Sequence, residues 1–287
     1  MQVLITGAGG AVGCALAKTY AEAGDQVLGL YRSTPPNFEH KNLVAMPFSL
    51  ADSFEQFDRV DLVIHAAAET HLNLKATAES YACSNIDGVL ALAAYLRRTQ
   101  PQLAVFLSTI SVYGDIQTEV LDENQPYRGP NLYGVSKLFG EGIMQEVGTD
   151  VPTIALRLPG VVGGDLMTPW LGRALEKLKA NEKVEFFNGS NPFNNLIDPD
   201  GLRDLINDVL SSGPEGFTLM NVGASAPMAL SDVLKVMAEM LGSQSEIIEM
   251  DSDKTSFSID IEPLRERFGH TPRTTKEIVG SYVNANT

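Results

Sequence analysis

Gln2-Val3-Leu4-Ile5-Thr6-Gly7-Ala8-Gly9-Gly10-Ala11-Val12-Gly13 reads as a short apolar strand that breaks into glycines and passes straight into a helix. In that order the backbone N–H groups of the turn sit at the positive end of the helix. They can receive a pyrophosphate there, and a Cβ at the glycines would block its approach. Gly7, Gly10, Ala11 and Val12 are the contacts this predicts. The glycines alone also fit a turn that binds nothing; the strand-turn-helix context favours the ligand.

Outward from this turn, apolar β-rich runs recur at Gln26–Tyr31, Leu43–Phe48, Leu62–Ala66, Ala104–Ser108 and Thr153–Leu158, with helical stretches filling most of the gaps. Strand, helix, strand in repetition predicts a doubly wound α/β fold with a mostly parallel sheet. Beyond Pro159 the pattern loosens, punctuated by Pro169, Pro192, Pro199, Pro214 and Pro227. A boundary near Gly160 follows. Residues 1–160 form the nucleotide domain, with 195–222 as a segment returning to it, and 161–194 and 223–287 form a smaller substrate-binding lobe. In that lobe Leu230–Leu241 reads as a helix capped by Ser231, and Ile261–Phe268 as a shorter one. Trp170, with Met167 and Pro169, fits either packing or a pocket wall, and packing is favoured.

Composition narrows the function classes. With 287 residues, 44% of them hydrophobic, the chain can bury a large core. A net charge of −15, from 36 acidic against 21 basic residues, argues against nucleic acid as partner, because that affinity comes from phosphate neutralisation by Lys and Arg. Cys14 and Cys83 cannot build a disulfide framework and read as buried free thiols, which predicts a reducing, cytoplasmic setting. The uncharged run Met1–Ala17 lacks a basic start and is rich in glycine, so it reads as mature structure rather than a leader. No apolar run is long enough to span a bilayer, so a membrane is not expected as a partner.

Chemistry is expected at the strand ends. The second strand closes with Leu30-Tyr31-Arg32-Ser33, where a carboxylate would hold a ribose hydroxyl and a cation a 2′-phosphate. With Tyr31 beside it, Arg32 can act as a bidentate phosphate fork assisted by Ser33, against the plainer reading of a solvated loop arginine. Tyr133-Gly134-Val135-Ser136-Lys137 follows Gly129-Pro130-Asn131, a plausible helix start and cap. Four residues apart, Tyr133 and Lys137 share a helix face, and an ammonium beside a phenol is expected to lower the phenol's pKa and make it an acid or base. Ser108 and Thr109 end an apolar strand at the carboxyl edge, where such folds bind ligands, although hydroxyls there more often satisfy local backbone.

Taken together these segments resemble the short-chain dehydrogenase/reductase superfamily, in its extended branch of epimerases, dehydratases and reductases. The resemblance covers nearly the whole chain. It rests on Thr6 to Gly13, His65-Ala66-Ala67-Ala68, Asn85 to Gly88, Arg157-Leu158-Pro159-Gly160-Val161-Val162-Gly163, Asn195 to Asp200, Asn221-Val222-Gly223 and Phe268 to Pro272. It implies a Rossmann-type sheet, Thr109 as the catalytic hydroxyl, Tyr133 as acid or base, and Lys137 on the nicotinamide ribose. It further implies cofactor contacts from Leu50, Ala66, Ala67, Ala68, Asn85, Ser108, Leu158, Pro159 and Val161. Homodimers are common in this superfamily, often through two helices per subunit.

Departures from the family pattern shape the expected reaction. Ile110-Ser111 stands where the 4,6-dehydratases carry an Asp-Glu pair, which disfavours dehydration. Asn194 and Asp198 replace the usual arginine and histidine, against a diphosphate-linked sugar, and Ser49 begins a segment that otherwise starts with Asp. The expectation is an oxidoreductase that moves a hydride between NADP, with NAD as the alternative, and a small, sugar-like substrate, most simply as a reductase. A nucleotide-sugar epimerase is the second reading, and a cofactor-sensing protein without turnover the third. A hydrolase would need a Gly-x-Ser-x-Gly elbow, which is missing, and the four histidines show no metal-ligand spacing.

Overall fold

The computed structural model describes residues 1–50, 52–163, 166, 169–252 and 255–287. In chain order the elements are β1 (Gln2–Thr6), α1 (Ala11–Glu22), β2 (Gln26–Tyr31), β3 (Leu43–Pro47), β4 (Leu62–His65), α2 (Ala78–Tyr81), a π-type segment (Ala82–Asp87), α3 (Gly88–Thr99), β5 (Leu103–Thr109), β6 (Val120–Leu121), α4 (Leu132–Val147) and β7 (Thr153–Leu158). Then follow β8 (Gly160–Val161), α5 (Pro169–Lys179), β9 (Val184–Phe187), β10 (Pro192–Phe193), β11 (Leu196–Ile197), α6 (Pro199–Ser211), β12 (Phe217–Asn221), β13 (Met228–Ala229), α7 (Leu230–Leu241), β14 (Ile247–Met250), β15 (Ser258–Ile259), α8 (Glu262–Phe268) and α9 (Thr275–Ala285).

The central sheet has seven parallel strands in the order β12-β7-β5-β4-β1-β2-β3. Its inner strands are buried along their whole length and apolar up to their carboxyl ends because helices cover both faces: all four residues of β4 and all seven of β5 are buried. The order reverses direction between β1 and β4, which opens a crevice at the carboxyl ends of the strands. Every strand expected from the sequence is present, its ends shifted by a residue at most. β12, the strand that extends the sheet beyond β7, was not legible as a strand, being a short run behind Gly213 to Gly216.

The chain divides into two units. The first comprises Met1–Asp115, Pro126–Arg157 and Arg203–Met220, and the second Ile116–Gln125, Leu158–Leu202 and Asn221–Thr287. In the first, Phe48, Phe54, Phe57 and Tyr95 pack with ring centroids 4.6 to 5.9 Å apart, most of them edge to face, and tie the region after β3 to α3. The second holds its own core, built from α5, α7, α9 and β9 around Leu175, Val233, Met237 and Tyr282. Trp170 packs there against Phe193 at 5.6 Å; Met167 and the side chain of Pro169 lie outside the described residues.

Two expectations are corrected. Ser231 does not cap α7: Ala229 occupies the cap position with no side-chain bond, and Ser231 lies inside the first turn. Neither cysteine is buried, Cys14 being half-buried and Cys83 exposed, because the π-type segment turns Cys83 outward. No helix among the described residues is long and apolar enough to cross a membrane.

Candidate active site

The crevice encloses about 300 Å³ and lies within the first unit. Its floor is the β1–α1 turn. Gly7 is held at φ +74°, and a Cβ at Gly13 would stand 2.2 Å from the Gly7 carbonyl oxygen, so the turn closes on itself only with glycine at both positions. α1 begins at Ala11 with no side chain capping Gly10 and no acidic residue in its first turn. The first-turn N–H groups of Ala11, Val12 and Gly13 lack intrahelical partners by helix geometry. A donor-rich, uncapped helix end beside a glycine floor fits a dinucleotide's pyrophosphate.

Arg32, Ser33, Leu50, Ala66, Ala67 and Ala68 line the same crevice, while Tyr31 closes β2 beside them. Arg32 is 70% exposed, and its nearest carboxylate is Glu69 at 3.9 Å. Cys83 and Ser84, not anticipated, also line it, brought there by the π-type segment. Asn85 is buried and its amide is taken up: Oδ1 accepts from the Glu69 N–H at 2.7 Å, and Nδ2 donates to Glu69 O and to Ser136 Oγ, both at 2.9 Å. Leu158 ends β7; Pro159 and Val161 follow it in the second unit.

At the carboxyl end of β5 the structure brings the catalytic candidates together. α4 starts under an Asn131 cap whose side chain accepts from Gly134 N–H at 2.9 Å, and this places Tyr133 in the first turn. The Tyr133 hydroxyl is hydrogen-bonded to Thr109, whose Oγ1 also meets the Ser111 N–H at 3.1 Å. His71 and Tyr81 flank the phenol, with ring centroids at 5.3 and 6.3 Å. Lys137 is buried one turn on, its Nζ 4.1 Å from the centre of the Phe106 ring.

The electrostatics correct the expectation for the phenol. Tyr133 is pushed up to about 12, because burial, with a smaller contribution from Tyr81, outweighs the Thr109 hydrogen bond. Burial pulls Lys137 down to about 7, opposed by Glu141. His65 falls to about 3 through burial and then Lys137, and its neutral ring exchanges a 2.8 Å hydrogen bond with Thr6.

Ser108 lies outside the crevice chemistry expected of it. Its hydroxyl donates to Glu141 Oε1 at 2.5 Å. Glu141 also receives Arg157 through Nε at 3.0 Å and Nη2 at 2.8 Å, and Arg157 donates in turn to Tyr113 at 2.7 Å and Tyr127 at 2.6 Å. Burial alone would lower Arg157; Glu141 and Tyr113 outweigh it and keep the guanidinium charged. Of this cluster the sequence had singled out Ser108 and Arg157 for other reasons, and Glu141 only by standing four residues after Lys137.

A parallel sheet whose strand order reverses over an uncapped glycine turn is the Rossmann-type arrangement of dinucleotide enzymes, and this chain is an enzyme of that class. The family model described as NAD dependent epimerase/dehydratase family matches residues 3–208, and the chain belongs to that family. A 37.6 kDa uncharacterized protein of Escherichia coli O111:H-, in the cld 5′ region, is 25% identical over 99% of this chain and 98% of its own. A dTDP-4-dehydrorhamnose reductase of Burkholderia thailandensis is 34% identical, over 52% of this chain and 47% of the reductase. Among solved structures, the Bordetella bronchiseptica enzyme WbmG in complex with NAD superposes with a TM-score of 0.83 at 21% identity, covering 99% of this chain and 93% of that one. That last likeness is one of fold.

Proposed function

We propose that the enzyme is an NADPH-dependent reductase acting at a carbonyl carbon of a small, sugar-like substrate. The observation that carries this reading is the buried Tyr133 hydroxyl joined to Thr109 and held protonated, which is the form that donates. The chemistry the dinucleotide supplies is a hydride from nicotinamide C4. Tyr133 gives its proton to the substrate oxygen, Thr109 hydrogen-bonds that oxygen, and Lys137 holds the nicotinamide ribose. In the second unit, assigned as the substrate lobe, the Asn194 amide is consumed by Ala224 O and by Ile259 N–H and O, and Asp198 is paired with Arg273. Neither is available to a substrate diphosphate, which supports a substrate that is not nucleotide-linked.

Selection of NADP over NAD is assigned to Arg32 and Ser33, since β2 ends without a carboxylate. Calorimetry with NADPH and NADH tests it. The parent should favour NADPH, and Arg32→Ala should weaken NADPH about 10- to 100-fold, as for a lost charge-assisted pair, with NADH little changed. Equal affinities that ignore the substitution would remove the assignment.

A nucleotide-sugar epimerase is the second reading, favoured by the family description. Stoichiometric NADPH consumption separates the two, because an epimerase regenerates its cofactor within each turnover. A second copy of this chain is the proposed occupant of the apolar stripe Leu90, Leu132, Val135 and Phe139, each about half exposed on α3 and α4. Phe139→Glu should halve the mass seen by light scattering; a parent that already runs as a monomer would dismiss the dimer.

A further inference from the structure

The segment that carries Thr109 is held on both sides. Before it, Ser108 donates to Glu141 Oε1 at 2.5 Å. After it, Thr109 caps a short 3₁₀ turn (Ile110–Tyr113) by accepting the Ser111 N–H at 3.1 Å, and that turn ends on Tyr113, whose hydroxyl accepts from Arg157 Nη1 at 2.7 Å. Glu141 and Arg157 are joined bidentately at 3.0 and 2.8 Å, and both are buried. One ion pair therefore grips the chain at Ser108 and again at Tyr113. Apolar residues of similar volume often replace such a buried pair at no loss of stability, so stability alone does not account for it.

We propose that Glu141 and Arg157 are positioning residues: through Ser108 and Tyr113 they hold Thr109 Oγ1 where it and the Tyr133 hydroxyl meet one substrate oxygen. This rests on the assignment of Thr109 and Tyr133 to that oxygen. α4 closes the arrangement, because it carries Glu141 on the same face as Tyr133, two turns further on. The helix packs tightly on the Thr109 segment: a Cβ at Gly134 would stand 2.5 Å from the Ser111 carbonyl oxygen, and one at Gly140 2.5 Å from Phe106 Cζ of β5. The guanidinium is itself fixed, lying 4.7 Å from the centre of the Tyr113 ring and 5.3 Å from that of Tyr127, to whose hydroxyl Nη2 donates at 2.6 Å. All of these residues belong to the first unit. Such a clamp matters for rate, since a misplacement of about 1 Å can cost on the order of 10²-fold.

Tyr113→Phe and Ser108→Ala each remove one hydroxyl of the clamp and leave the Glu141–Arg157 pair in place. Each should lower kcat about 10-fold or more, with KM and NADPH affinity within about twofold of the parent. The rate is read as single-turnover NADPH oxidation with the keto sugar that the parent reduces fastest, so that slow variants remain measurable. A double-mutant cycle separates positioning from a merely structural role. With Thr109→Ala no hydroxyl is left to position, so adding Tyr113→Phe should cost less than about twofold, whereas a general loosening of the site would cost the same factor in both backgrounds. Should Tyr113→Phe fail to fold, Ser108→Ala carries the same cycle. A parental kcat in the single variants, or an equal loss in both backgrounds, overturns the proposal. Failure of the function assigned above shows separately, as a parent that oxidises NADPH on no keto sugar or as Tyr133→Phe and Thr109→Ala forms that keep parental turnover, and it would remove the proposal as well.

Discussion

Tyr133→Phe is expected to cut turnover by about 10²- to 10⁴-fold, the range a positioned general acid contributes, while NADPH affinity stays within about twofold. The substitution removes one oxygen. The ring keeps its neighbours His71 and Tyr81, and the Asn131 cap that sets the start of α4 is untouched. What disappears is the proton the substrate oxygen must receive and the partner that Thr109 orients. The measurement is NADPH oxidation followed by nicotinamide absorbance against a panel of keto sugars, using the member the parent turns over fastest, with affinity read by calorimetry. Turnover surviving at a tenth or more of the parent would mean that the proton comes from elsewhere, and the proposed mechanism would fall.

The second large effect concerns stability. Arg157→Ala should cost about 3–5 kcal/mol, because it leaves the Glu141 carboxylate buried without its cation. For a chain of this size that is a drop on the order of 10 °C in melting temperature. Glu141 would retain the Ser108 hydroxyl as its donor, while Tyr113 and Tyr127 would lose theirs. Scanning calorimetry of the alanine form beside the Glu141→Met, Arg157→Met form separates two causes. If unpaired charge is the cause, the double variant melts closer to the parent than the single one; if lost packing is, the double variant is no better. A single variant melting with the parent would show that water reaches the guanidinium site, against its burial.

Much of the first unit was legible in advance. β1, the glycine turn and α1 declare themselves through residues that are neighbours in sequence, and so does the Asn131 cap before Tyr133. The two-residue strands of the second unit were not legible. β6 exists only because it pairs with β15, across nearly half the chain, and a run that short has no periodicity to read. Cys83 was expected to be buried only because free thiols usually are; it lies in a π-type segment and is exposed.

The sequence by itself determined the parallel sheet, the uncapped glycine floor, and which phenol, ammonium and hydroxyl lie at its carboxyl edge. The glycine turn and the Tyr133–Lys137 spacing depend on neighbours within a turn or two of chain, and each strand is readable from its own apolar run although the strands pair across tens of residues. Only the tertiary structure decided the protonation of those groups. It raised Tyr133 where spacing had promised the reverse, brought Lys137 toward neutrality, and joined Ser108, Tyr113, Tyr127, Glu141 and Arg157 into one buried cluster. Desolvation and Coulomb energy depend on which groups come within a few ångströms in space, and residues from three different elements meet there without any local signal of doing so.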